Sequence, residues 1–240
     1  MSDGGAEATT QETPKPSRRK RNWGIALGVL VVLLSLDWAA HAAGFIRPGN
    51  EMGGSTAMDM NTPKGASLGS AQYPYAVGDP GVGAQAPAIK LKSTAGGTFD
   101  LGAAESQGDV LIYFQEGLSC QPCWDQIVAI QQNQSAFEAL GITTIVSVTT
   151  DPYGQLQQKA SDEQLTIPVL ADENGSVSDT YQALRYGRSD MGVTPGDTFI
   201  LVGKDGKIKW RADYGGPPKH TMQLPVDQLL ADLKAGVGRA

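Results

Sequence analysis

Two cysteines occur in the 240-residue chain, Cys120 and Cys123, and they stand close together in Ser119-Cys120-Gln121-Pro122-Cys123-Trp124. This is the spacing of a redox couple, because a structural disulfide usually closes a longer loop to gain stability. The run before the pair, Val110-Leu111-Ile112-Tyr113-Phe114, is β-branched and aromatic, and the stretch after it, Trp124 to Leu140, has helical spacing. The pair therefore lies where a strand feeds a helix. Amides and the macrodipole at a helix N-terminus stabilise a thiolate, so Cys120 is expected to titrate below the ~8.5 of a free thiol, with Cys123 one turn further in. Pro122 and Trp124 belong to the same motif. Glu116, four residues before Cys120, has two readings: a proton acceptor for the buried thiol, or an exposed loop carboxylate.

A chain of 240 residues with 40% hydrophobic content can bury one ordinary core, and is short for two once unstructured parts are removed. The formal net charge is −6, yet residues 1–22 carry five basic residues (Lys15, Arg18, Arg19, Lys20, Arg21) against three acids (Asp3, Glu7, Glu12). The remainder is thus about −8, which argues against nucleic acid as a partner of the folded part. The chain contains no flavin or nicotinamide motif. The redox group expected is the Cys120–Cys123 disulfide itself, with no other cofactor and with electrons resupplied by an external donor.

Residues 1–22 have little to bury and read as a disordered basic leader. Trp23 to Leu36 is free of charge, and the apolar character continues past Asp37 and His41 to Ile46. The 24 residues 23–46 are long enough to cross a hydrocarbon core of ~30 Å as a helix. Trp23 and Trp38 would lie about 22 Å apart as an aromatic belt, and the Arg18–Arg21 cluster sets the N-terminus in the cytoplasm. We read this segment as a signal anchor with the rest of the chain extracytoplasmic. The rival is a signal peptide cleaved near Ala42, after which the domain is secreted. Residues 47–82, rich in Gly, Ala, Ser, Pro and Met, read as a flexible linker, and the folded domain is expected over residues 83–240.

Within that domain, Ile89–Lys92 and Thr98–Leu101 alternate as short strands around Gly96-Gly97. Val110–Phe114 is apolar on both faces and reads as a central strand, and Ile142–Val148 as its parallel neighbour across the helix. Asp151 is the expected N-cap of a helix beginning at Pro152. Ile167–Leu170 is expected to be extended, Ser178–Tyr186 helical, Thr198–Val202 and Ile208–Ala212 a hairpin around Asp205-Gly206, and Pro225–Ala235 an amphipathic helix.

This order of elements resembles the thioredoxin fold, and in particular the redoxin branch that includes the alkyl hydroperoxide reductase and thiol-specific antioxidant (peroxiredoxin-like) family. The matching pieces are Gly83-Ala84-Gln85-Ala86-Pro87, Gly97-Thr98-Phe99-Asp100-Leu101, the Cys120/Cys123 pair, Ile167-Pro168-Val169-Leu170-Ala171-Asp172 and Thr198-Phe199-Ile200-Leu201-Val202. The resemblance implies an α/β thioredoxin-like domain with a mixed sheet flanked by helices, over about residues 83–236. Peroxidases of the family carry a P-x-x-x-(T/S)-x-x-C pattern; here the corresponding residues are Tyr113 and Gly117 for Cys120, and Glu116 and Cys120 for Cys123. The Cys-x-x-Cys with Pro122 is instead similar to membrane-anchored thioredoxin-like proteins that reduce disulfides. The resemblance thus implies a thiol-disulfide oxidoreductase acting on protein disulfides, with a thiol peroxidase (antioxidant) as the alternative. It also implies that Thr194-Pro195 corresponds to the loop proline that thioredoxins hold cis beside the cysteines. A further alternative is a copper-binding module, with Cys120, Cys123 and His220 as ligands.

Overall fold

The structure, a computed structural model, describes residues 68–187 and 193–238. The expected span 23–46 lies outside them; among the described residues no helix is long and apolar enough to cross a membrane. The central feature is a strand β5 (Asp109–Phe114) whose six residues are all buried. Its odd and even side chains serve two cores. Leu111 and Tyr113 face one helical layer, with Trp124, Ile127 and Leu229. Val110, Ile112 and Phe114 face the other, with Leu101 and Tyr181. Each such buried aliphatic side chain stabilises the fold by roughly 1.5–3 kcal/mol, which is why an unbroken apolar run goes to the middle of a covered sheet.

In chain order the elements are β1 (Leu68–Gly69), β2 (Pro74–Tyr75), β3 (Lys90–Ser93), β4 (Thr98–Asp100), α1 (Leu101–Glu105), β5, α2 (Gln121–Gln132), α3 (Gln134–Glu138), β6 (Ile142–Thr149), α4 (Tyr153–Asp162), β7 (Val169–Ala171), α5 (Ser176–Thr180), a 3-10 turn (Ala183–Tyr186), β8 (Thr198–Val202), β9 (Ile208–Asp213) and α6 (Val226–Val237). The main sheet runs β4-β3-β7-β6-β5-β8-β9. β6 lies parallel to β5 and β7 parallel to β6, while β8 and β9 add antiparallel strands on the other side. The β5-α2-β6 unit and the β8–β9 hairpin therefore form as the sequence pattern predicts.

Four expectations need correction. The linker was expected to reach residue 82, but ordered chain begins by Leu68: β1 pairs with β2, and Ala76 bridges to Asp213 of the edge strand β9. Tyr75 supplies the apolar anchor, packing edge-on against Trp210 and Tyr214 with ring centroids 6.1 and 5.1 Å away. The helix expected over Trp124–Leu140 is two, because Asn133 leaves helical dihedrals and its side-chain amide donates to the Ala129 carbonyl at 2.9 Å. Asp151 does not cap α4, whose N-cap is Pro152; its carboxylate is used elsewhere. The helix expected over Ser178–Tyr186 splits at Gln182, which takes a φ of 51° between α5 and the 3-10 turn.

Candidate active site

Strand β5 delivers the chain to the middle of the sheet's edge, between β6 and β8, with Phe114 opposite Thr198. The turn that follows is pinned by polar side chains. Gly117 N–H donates to Gln115 Oε1 at 2.6 Å, and Asp151 Oδ2 accepts from Leu118 N at 2.9 Å and from the Thr149 hydroxyl at 2.7 Å. Gly117 has a φ of 93°, and a Cβ there would run into the Asp151 carboxylate and Thr149. Only glycine fits this position, which sets the approach to the cysteines.

Cys120 is the N-cap of α2 and Cys123 lies in its first turn; the two form a disulfide with Cα atoms 5.4 Å apart. The Cys123 backbone N–H donates to Cys120 Sγ at 3.2 Å. An amide aimed at sulfur from a helix N-terminus is the arrangement that stabilises negative charge on a sulfur. Pro122, exposed in the first turn, needs no hydrogen-bond acceptor there. Trp124 is fully buried beneath the turn, its indole N–H donating to Gly117 O at 3.0 Å, with Lys159 Nζ 5.5 Å from its ring centre. Both cysteines are nearly inaccessible, at 2% and 0% exposure.

Two buried acids accompany the pair. Glu116 is 2% exposed, not the exposed loop carboxylate of the second reading, and a carboxylate oxygen of it lies within 4.8 Å of both sulfurs. Asp197, in the approach to β8, is 1% exposed and sets Oδ1 3.6 Å from Cys123 Sγ. Burial, reinforced by the charge of Glu116, pushes the Asp197 carboxyl well above the usual carboxylate range, against a lowering influence from the Tyr113 hydroxyl. That hydroxyl faces Asp197 without a hydrogen bond of ordinary geometry, and burial followed by Asp197 and Glu116 drives its own titration far up. Burial thus disfavours the ionised form of Asp197 beside the disulfide.

The loop expected to carry a cis proline is built differently. The cis bonds among the described residues are Asp79–Pro80 and Pro217–Pro218, so Thr194–Pro195 is not one of them. Pro195 is buried, Thr194 is half-buried, and the residue of this loop that reaches the pair is Asp197. The backbone carbonyl of Asp197 is already engaged by Tyr214 N at 2.8 Å and Gly215 N at 3.0 Å. His220 is exposed and its Nδ1 sits 2.8 Å from Gly215 O. Among the described residues the cluster of His, Cys, Asp and Glu with metal-ligand spacing is Glu116, Cys120 and Cys123, without His220. Two residues on, Met222 places Sδ 3.7 Å from Cys120 Sγ. Sequence reasoning missed Asp197 and Met222. Asp197 had a signal in its place just before a buried strand, and Met222 had none beyond its neighbour His220.

A Cys-x-x-Cys couple at the head of the helix after a central strand, in a mixed sheet covered by helices on both faces, defines a thioredoxin-like α/β redoxin. Residues 82–211 match the AhpC/TSA family, and the chain belongs to this family of peroxiredoxin-like thiol oxidoreductases. Solved structures agree on the fold. Peroxidoxin BcpB from Mycobacterium tuberculosis is 20% identical with a TM-score of 0.53, over 64% of this chain and 96% of that one. The reduced 2-Cys peroxiredoxin of Plasmodium vivax is 19% identical with a TM-score of 0.54, over 64% and 80%. Enterococcus faecalis AhpC is 14% identical with a TM-score of 0.54, over 64% and 90%. No curated protein is matched by the sequence.

Proposed function

We propose that this redoxin is a thiol-disulfide oxidoreductase, held to the membrane by residues 23–46 with its domain on the extracytoplasmic side. The observation that carries the chemistry is the Cys123 amide on Cys120 Sγ, with Asp197 on the other sulfur. In the reduced enzyme the Cys120 thiolate attacks one sulfur of a substrate disulfide; the new S–S bond forms as the old one breaks, and the leaving thiolate takes a proton. Asp197 loses its own proton to solvent, and the carboxylate so formed accepts the Cys123 proton. The Cys123 thiolate then attacks Cys120 Sγ, releases the substrate as its second thiol, and leaves the Cys120–Cys123 disulfide. Two electrons have passed to the substrate, and an external dithiol donor restores the pair. The full chain is expected to catalyse reduction of a small aromatic disulfide by dithiothreitol, and Cys120→Ser to abolish it. Equal turnover in that variant sinks the reading.

Family membership favours a second reading, a thiol peroxidase with Cys120 peroxidatic and Cys123 resolving. Against it stand Tyr113 and Gly117 at the positions of the peroxidase proline and hydroxyl residue. Tyr113 is committed to the core, stacked on Phe199 at 4.3 Å, and Gly117 brings no hydroxyl. Stopped-flow oxidation of the reduced chain by hydrogen peroxide separates the two. A rate no faster than that of free cysteine excludes the peroxidase, and one several orders of magnitude faster establishes it.

A further inference from the structure

The contact between Met222 and Cys120 has no part in disulfide exchange, yet it is held with some care. Met222 lies on a strap that runs from the end of β9 to α6. At its start, Tyr214 N and Gly215 N donate to the buried Asp197 carbonyl, and Thr221 N, immediately before Met222, returns to Tyr214 O at 3.0 Å. Just after it, Leu224 N donates at 2.8 Å to Oε1 of Gln126, a fully buried residue of α2, the helix that carries both cysteines. The thioether is therefore fastened on both sides and aimed at Cys120 rather than swept there by a loose loop. His220, in the same strap, turns its Nδ1 to Gly215 O.

We propose that the reduced Cys120–Cys123 pair and Met222 form a three-sulfur site for Cu(I), which the disulfide closes. Two thiolates and a thioether are the soft donor set that selects Cu(I) over harder divalent ions. For a metal–sulfur bond of ~2.3 Å, a trigonal set has sulfurs about 4 Å apart. The Cys120–Met222 separation of 3.7 Å already meets this. The Cys120–Cys123 edge opens when the disulfide is reduced, and two residues between cysteines is a common spacing for chelating one ion. Burial of the pair leaves little access for water as a competing ligand. The chemistry balances simply. A dithiol donor supplies two electrons and two protons to the disulfide and leaves as its own disulfide, Cu(I) then displaces the two thiol protons to solvent, and the metal keeps its oxidation state. A substrate disulfide that takes two electrons from the pair, and leaves as two thiols, removes both thiolates and expels the ion.

The test uses the full chain, reduced with a phosphine, desalted under nitrogen and titrated with Cu(I) against bathocuproine disulfonate. One equivalent is expected, with X-ray absorption reporting three sulfurs at ~2.3 Å. Met222→Leu, close in volume, is expected to lower Cu(I) affinity at least tenfold and reduce the sulfur count to two, while His220→Ala changes neither. Zn(II), which uses Glu116 and the cysteines without the thioether, is expected to bind both proteins equally. Unchanged Cu(I) affinity in Met222→Leu overturns the proposal, as does a parallel loss of Zn(II) or a loss in His220→Ala. If Met222→Leu does not fold, the wild-type sulfur count decides, and two sulfurs refute the site.

Discussion

The segment before residue 83 is tied to the sheet by a buried charge pair, and this gives a sharp test of the reading that the domain begins earlier than its sequence pattern implies. Arg211 and Asp213 of β9 are both fully buried. Arg211 Nε donates to the two Asp213 carboxylate oxygens at 3.1 and 3.0 Å, Nη2 donates to Oδ1 at 2.9 Å, and Nη1 reaches Pro80 O at 3.1 Å. Asp213 in turn accepts from Gly78 N at 2.6 Å and from the Thr198 hydroxyl at 2.9 Å. Asp213→Asn keeps the shape and one acceptor oxygen but leaves the guanidinium buried without its counter-charge, a change that costs about 3–5 kcal/mol. With a urea dependence of ~2 kcal/mol per molar, the unfolding midpoint is expected to fall by about 1.5–2.5 M. Limited proteolysis of the folded variant is expected to cut first within residues 76–82. A loss below ~1 kcal/mol, or cleavage elsewhere, would refute the argument that this pair holds the segment in place.

Other outcomes follow from the same geometry. Because the Asp197 carboxyl titrates above its ordinary value, the native state holds a proton that the unfolded chain has lost, so stability falls as pH rises from ~3.9 toward the raised value, by up to about 1.4 kcal/mol per pH unit. Asp197→Asn is expected to remove that slope from urea unfolding measured between pH 4 and 8, to be the more stable protein at the upper end, and to exchange disulfides more slowly; a gap between variant and wild type that does not change with pH would exclude the assignment. Tyr75→Ala, which deletes the ring packed on Trp210 and Tyr214, is expected to cost about 2–4 kcal/mol by thermal or urea unfolding, whereas an untethered linker residue would cost nothing measurable. Gly117→Ala meets both a positive φ and the Asp151 carboxylate, so it is expected to lose at least ~1 kcal/mol and to slow Cys120 alkylation by iodoacetamide in the reduced protein.

Much of this was legible in local pattern. The run Val110–Phe114 carries its own instruction, since five apolar residues in a row are satisfied only in the middle of a covered sheet, and a redox pair at the head of the following helix needs nothing beyond that junction. Asp205-Gly206 specifies its hairpin in the same way, with Gly206 at a φ of 73°. Local pattern failed where a side chain found a distant partner. Asp151 has the composition of a helix cap, but the turn before Cys120 offers its carboxylate a distant donor, Leu118 N, beside the hydroxyl of its near neighbour Thr149 at the end of β6. Tyr75 and Arg211–Asp213 fold a Gly- and Pro-rich stretch that has no periodicity of its own.

Two cysteines with two residues between them, set between a buried strand and a helix, are enough by themselves to point to a thioredoxin-like redox couple with Cys120 at the helix terminus, whose influence acts over one turn of chain. What surrounds that couple was decided by the tertiary structure. Asp197 stands 74 residues from Cys123 and Met222 stands 102 from Cys120. They reach the sulfurs because β8 pairs with β5 and the strap after β9 folds back onto α2. Desolvation, which raises the Asp197 carboxyl, exists only once those layers have closed over it.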